Sequence, residues 1–135
     1  MRTVVEVEVR YAETDAMGIV HHSNYLVWFE LARTDLCRQT GTDYAAIERG
    51  GHRLTVTRSE IRYRRPARYG DVVQVAAWID SLASRRVCFG YEVHCGGELL
   101  ATGSTEHVWI DDQGRPCRIP AALEPYFTRL ADTGA

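Results

Sequence analysis

The sequence predicts an α+β fold in which a five-stranded antiparallel sheet curls around one long central helix. Three observations carry the prediction. Five segments read as strands, and in the first, third and fourth apolar residues recur on one face with the period of a strand. One segment is apolar on nearly all sides before charge pairs appear at helical spacing, and a Gly-Gly hairpin signal makes neighbouring strands antiparallel. A sheet that follows one buried helix in this order must wrap it to cover its apolar surface.

From Val4 to Tyr11, the apolar Val5, Val7, Val9 and Tyr11 alternate with Glu6, Glu8 and Arg10, as in a strand with one wet face. Ala12 to Ser23 breaks that period. The run Tyr25-Leu26-Val27-Trp28-Phe29 then leads into Glu30, Arg33, Asp35 and Arg38, predicting a helix of about four turns that ends near Gly41. Its second half carries Glu30/Arg33 and Asp35/Arg38 pairs three residues apart. Asp43 to Arg49 reads as a short helical turn closed by Gly50-Gly51.

Thr55 to Tyr63 is the second strand. Its apolar phase moves from even positions at Leu54 and Val56 to odd ones at Ile61 and Tyr63, which predicts a β-bulge. Asp71 to Asp80, with Val73, Val75, Ala77 and Ile79 on one face, is the third. In the fourth, Val87, Phe89, Tyr91, Val93 and Cys95 oppose Glu92 and His94. Gly96-Gly97 joins it to a fifth strand, Leu99 to Ile110, which the polar turn Asp111-Asp112-Gln113-Gly114 ends. After Pro120, Ala121 to Leu130 reads as a terminal helix, and no repeat or linker divides residues 1–135, so a single domain is expected.

Composition narrows the function. With 135 residues, 45% hydrophobic and 25% charged, the chain is ordinary globular material. A domain of this size buries roughly two-thirds of its unfolded surface without staples. A formal charge of −2 from 16 basic and 18 acidic residues gives no support for a nucleic-acid or anionic-membrane partner, so any anion site must be a local patch. All 16 basic residues are arginine, a bias ascribed to genome composition rather than to phosphate clamps. Cys37, Cys88, Cys95 and Cys117 form no C-x-x-C pair and read as reduced thiols. No stretch has the apolar core of a signal peptide or of a membrane span, and a cytoplasmic location is expected.

The chemistry-bearing segment is Tyr11 to Tyr25, polar and irregular between a strand and an apolar helix. Asp15 is its prominent carboxylate, for which an Asx-turn is the bland alternative role. Glu13 reads as a solvated turn residue. Gly18 allows close backbone approach. His21 and His22 do not make a metal site with Asp15, because adjacent ligands diverge and no Cys or third His stands at ligand spacing. Asn24 either positions the nucleophile or caps the helix, and Tyr25 packs.

Asp15 followed by Gly18-Ile19-Val20, the Asn24-Tyr25 pair, Glu30-Leu31-Ala32-Arg33, and Tyr63-Arg64-Arg65-Pro66-Ala67 with Gly70-Asp71 together resemble the acyl-CoA thioesterases of the 4-hydroxybenzoyl-CoA thioesterase type, over about residues 5 to 120. The resemblance implies a hotdog fold and hydrolysis of an acyl-CoA thioester. It puts Asp15 at the catalytic carboxylate and His22 at the residue whose backbone amide faces the thioester carbonyl. It implies substrate contacts from Gly18, Val20, Asn24 and Tyr25, and phosphate contacts from Ser84, Arg85 and Arg86. It also implies homodimers or homotetramers with sites between subunits, and no cofactor beyond the coenzyme A of the substrate.

The chemistry is consistent with one carboxylate. A thiolate leaves with a pKa of about 8.5, so no strong general acid is needed. Asp15 can attack the carbonyl to give a mixed anhydride, or deprotonate an attacking water. Free N–H groups at the helix start supply oxyanion donors. Two rivals keep the fold. One is a non-catalytic acyl-CoA-binding protein. The other is an enoyl-CoA hydratase or dehydratase, which needs an Asp/His pair drawn from His52, His94 or His107. Trp28, Phe29, Trp78, Trp109 and Met17 line either an acyl tunnel or the core. Arg58, Arg62, Arg64, Arg65 and Arg68 read as a solvated face, some of which a dimer partner turns toward the nucleotide.

Overall fold

A computed structural model describes residues 1–39 and 49–131 of the chain. Strand β1 (Arg2–Glu8) leads through a 3-10 turn (Tyr11–Glu13) to helix α1 (Asn24–Arg38). Strands β2 (Arg53–Tyr63), β3 (Val72–Leu82), β4 (Arg86–Cys95), β5 (Glu98–Ile110) and β6 (Pro116–Cys117) follow, then helix α2 (Glu124–Ala131). The sheet order is β1-β3-β4-β5-β2, with β6 added on β5, and every pairing is antiparallel. The fourth and fifth strands meet at Gly96 and Gly97, whose φ of 57° and 82° give the left-handed pair of a tight hairpin. The anticipated bulge lies in β2, where the register shifts between Val56 and Arg58.

The inner face of the sheet closes on α1. Trp28, Phe29, Ala32 and Leu36 of the helix are fully buried, together with Val73, Val75, Phe89, Tyr91 and Trp109 of the strands. Phe29 stacks flat on Tyr91, ring centroids 4.2 Å apart. Room for this comes from Gly103, the cross-strand neighbour of Tyr91. A Cβ there would stand 2.5 Å from the Phe29 ring and 2.9 Å from the Glu60 carbonyl oxygen. Gly103→Ala is therefore expected to cost about 1–3 kcal/mol, since neither the core ring nor the backbone can give way cheaply. A denaturant midpoint indistinguishable from wild type would show that the helix can lift off the sheet without penalty.

Three expectations are corrected. The first strand does not run to Tyr11: it ends at Glu8, and Tyr11 stands exposed at the start of the 3-10 turn. Glu13 drives the change, because its Oε1 accepts the Arg10 N–H at 2.9 Å and takes that donor out of any ladder. Nor is Glu13 a solvated residue. It is 4% exposed, and its Oε2 accepts the Trp28 indole N–H at 3.1 Å. Finally, the sheet gains β6 as a sixth, two-residue strand, too short to leave a periodic signal. The terminal helix begins at Glu124, after a turn in which Leu123 N–H donates to the Pro120 carbonyl at 2.9 Å. The turn expected at Asp43 to Arg49 falls largely outside the described residues. Among the described residues, no helix is long and apolar enough to cross a membrane.

Candidate active site

Between the 3-10 turn and α1 the chain doubles back on itself. Thr14 bridges Val20, and Asp15 N–H donates to the Ile19 carbonyl at 2.8 Å. Gly18 N–H donates to the Asp15 carbonyl at 3.0 Å, and Gly18 takes the left-handed φ of 78° that this reversal needs. Apart from its two chain neighbours, no described residue comes within 4 Å of a Cβ built on Gly18, so conformation rather than crowding explains the glycine. The loop is anchored where Val20 N–H donates to the Ala67 carbonyl at 2.9 Å and Ile19 bridges Arg68.

This fold-back brings Asp15, Val20, His22 and Tyr25 together around one cavity of about 350 Å³, closed by Ile19, Tyr63, Arg64, Arg65 and Pro66. Asp15 is half-buried, and its Oδ1 accepts the Met17 N–H at 2.8 Å, so the carboxylate does form an Asx-turn. Its Oδ2 has no hydrogen-bond partner among the described residues. One oxygen fixes the side chain and the other is unshared among the described residues. Arg65 is tied to Glu98 at 2.6 Å, whereas the Arg64 guanidinium has no partner among the described residues.

The entry to α1 carries the second feature. His21 N–H donates to the Glu13 carbonyl at 2.8 Å, Ser23 N–H to His21 Nδ1 at 3.3 Å, and Asn24 N–H to the His21 carbonyl at 3.0 Å. The His22 N–H has no acceptor among the described residues. An amide with no acceptor among the described residues, in a residue that lines the same cavity as Asp15 and lies at the positive end of a 15-residue helix, is suited to a developing negative charge. The His22 ring is exposed and packs on that of His21, centroids 4.2 Å apart.

Tyr25 packs, as expected, with its hydroxyl accepting the Ala67 N–H at 3.4 Å; burial raises its phenol pKa, which the Ala67 bond partly offsets. Its ring meets that of Tyr63 edge-on at 5.1 Å, and the Tyr63 hydroxyl donates to the His22 carbonyl at 3.1 Å. Tyr63 was not among the residues the sequence singled out for the site, although it heads the Tyr63-to-Ala67 motif.

Other residues lie elsewhere. Ser84 and Arg85 lie in the β3–β4 turn and Arg86 opens β4, whereas the cavity adjoins the other end of the sheet; a strand as long as β3 separates them, roughly 33 Å at 3.3 Å per residue. Arg86 pairs with Glu106 at 2.8 Å. Within one subunit these residues do not reach Asp15. Trp28, Phe29 and Trp109 are core, Trp78 lies under the Arg2 guanidinium at 4.2 Å, and Met17 is exposed. His107 is buried in the core, and neither His52 nor His94 lines the cavity. Among the described residues, no three His, Cys, Asp or Glu side chains group as a metal site.

Comparison with known proteins agrees with this architecture. YneP of Bacillus subtilis (strain 168) is 37% identical over 125 residues, 91% of each chain. The crystal structure of TT1821 from Thermus thermophilus is 40% identical with a TM-score of 0.92, covering 96% of this chain and 98% of that one. A DHNA-CoA thioesterase from Staphylococcus aureus is 37% identical with a TM-score of 0.86, covering 95% and 85%. The α+β architecture, an antiparallel sheet wrapped on a central helix, is the hotdog fold. The family model described as the thioesterase-like superfamily matches residues 9–127, and the chain belongs to that superfamily.

Proposed function

We propose that this protein hydrolyses an acyl-CoA thioester to the free acid and coenzyme A, with Asp15 as nucleophile or general base and the His22 amide as oxyanion donor. The observation that carries the reading is the pairing of an unshared carboxylate oxygen with an uncommitted N–H on one cavity. The identity to a DHNA-CoA thioesterase supports coenzyme A as the leaving group. In the nucleophilic route Asp15 attacks the carbonyl carbon, the thiolate departs, and water cleaves the mixed anhydride. In the general-base route Asp15 takes a proton from the attacking water. In both, negative charge develops on the carbonyl oxygen, which is where a preorganised N–H lowers the barrier. No cofactor is required.

The arrangement favours a site completed by a second copy of the chain. Among the described residues β2 pairs only with β5, and its other backbone edge has no partner. Antiparallel pairing of two such edges across a twofold axis brings the far sheet end of one copy beside the cavity of the other. The Ser84–Arg86 turn of the second copy then approaches the nucleotide phosphates, for which arginine forks are suited. A homodimer, alone or paired again as a tetramer, and a cytoplasmic location complete the reading.

The test is thiol release from a panel of aromatic and straight-chain acyl-CoAs, with blanks for the protein's own cysteines. Cleavage of at least one substrate with release of its free acid is expected. Affinity without turnover across the panel would favour a binding protein, and loss of the enoyl absorbance of crotonyl-CoA with the thioester intact would favour a hydratase.

A further inference from the structure

The His22 N–H has no acceptor among the described residues because its neighbours are committed. A trans peptide is planar, with its carbonyl and N–H pointing in opposite directions, so whatever holds the His21 carbonyl also aims the His22 N–H. That carbonyl is held twice by one residue: it accepts the Asn24 backbone N–H at 3.0 Å and the Asn24 side-chain Nδ2 at 3.3 Å. The same Nδ2 donates to the Glu13 carbonyl at 3.0 Å, which also receives the His21 N–H at 2.8 Å. Glu13 cannot drift, since its own side chain is locked between the Trp28 indole and the Arg10 backbone. A rigid frame thus runs from a buried carboxylate through Asn24 to one peptide plane.

We propose that Asn24 is a positioning residue: its side-chain amide, bridging the Glu13 and His21 carbonyls, fixes the His21–His22 peptide so that the His22 N–H faces the cavity. The inference rests on the hydrolase reading above and assigns Asn24 no contact with substrate. Helix capping does not account for the geometry. Asn24 is the first residue of α1 rather than its cap, and both acceptors of its side chain are carbonyls preceding the helix.

Asn24→Asp tests it, because the replacement keeps size and shape but sets a carboxylate against two carbonyl oxygens, removing both side-chain donations. Removing an oxyanion donor outright typically costs 10²–10³ in kcat; a misaimed donor is expected to cost about 10- to 100-fold. KM and the affinity for a non-hydrolysable thioether analogue of the substrate should stay within about threefold, since ground-state contacts are untouched. Asn24→Ala, which removes the donor without introducing charge, should lose kcat in the same manner. Melting temperatures of both variants identify any loss that comes from unfolding.

A kcat within twofold of wild type in a folded Asn24→Ala protein would overturn the proposal. So would a change confined to KM, which would make Asn24 a substrate contact. Asp15→Asn, measured in parallel, keeps the outcomes separate: if it too retains full rate, the hydrolase mechanism itself falls, whereas an inactive Asp15→Asn beside a fully active Asn24→Ala overturns only the positioning role.

Discussion

Asp15→Asn is expected to lower the rate of thiol release at least a hundredfold, roughly 2.7 kcal/mol of barrier. The substitution is chosen for what it preserves. Asparagine retains an oxygen that can accept the Met17 N–H, now held at 2.8 Å by Oδ1, so the fold-back from Thr14 to Val20 keeps its Asx-turn. What changes is the second position, where an amide nitrogen replaces Oδ2, the oxygen with no partner among the described residues. An amide neither attacks a carbonyl nor takes a proton from water at a useful rate. The His22 N–H, proposed as oxyanion donor, and the cavity walls remain, so the residual rate reports what those contribute alone. A variant within tenfold of wild type would show that Asp15 is only a turn residue. Single-turnover hydrolysis in ¹⁸O-water then tests the nucleophilic route for an active wild type: solvent oxygen in the Asp15 carboxylate requires an anhydride opened at the Asp15 carbonyl carbon, whereas water delivered by a general base, or to the acyl carbon of an anhydride, labels the product acid alone.

The frame of this molecule was legible in its sequence where one face of a strand meets the core. β3 and β4 bury alternate residues, Val73, Val75, Ala77 and Ile79 in one and Val87, Phe89, Tyr91 and Val93 in the other, and such a period survives in sequence. Even the β2 bulge left its trace, because an extra residue inverts the phase. The segment holding Asp15, Val20, His22 and Tyr25 stood out by breaking the period, and all four meet at one cavity. What was not legible depends on contacts made across long separations or by single side chains. Tyr11 continues the alternation of β1 in sequence, yet Glu13 captures the Arg10 N–H and turns the chain. Glu13 itself is buried because the Trp28 indole, fifteen residues on, supplies a donor that no local pattern announces. Ser84, Arg85 and Arg86 carry a motif-level signal, but a motif does not state at which end of a sheet, or in which copy of a chain, its residues will be needed.

His107 leads to the second large effect, on stability rather than rate. It is 1% exposed, on the inner face of β5 with Thr105 and Trp109. A buried relay reaches it: the Arg33 guanidinium donates to the Tyr91 hydroxyl at 3.0 Å, Tyr91 and Thr105 share a bond of 2.6 Å, and Thr105 meets His107 Nε2 at 2.8 Å. Arg33 has only donors, so the run from Arg33 to Nε2 is satisfied end to end when Tyr91 donates to Thr105 and Thr105 donates to an unprotonated Nε2. A charged imidazole would put a proton on Nε2 and reverse that direction. Burial, reinforced by the Arg33 charge, pushes the His107 pKa down to about 3 from the ordinary 6.5; the nearby Leu54 backbone opposes this weakly and makes no hydrogen bond of ordinary geometry to Nδ1. The unfolded chain binds a proton at His107 near pH 6.5 while the folded chain does not until near pH 3, so in this window the unfolded state holds more protons. Stability is therefore complete above pH 6.5 and falls as pH drops, by about 1.4 kcal/mol per pH unit for one group, or about 2 kcal/mol between pH 6.5 and 5. Denaturant unfolding of wild type and His107→Gln at pH 7.5, 6 and 5 isolates the contribution, because the other titrating groups are common to both. The variant is expected to start less stable but to lose about 2 kcal/mol less over the acid interval. Parallel pH profiles for the two proteins would mean that His107 takes up its proton in the folded state, and that the relay from Arg33 does not impose a direction.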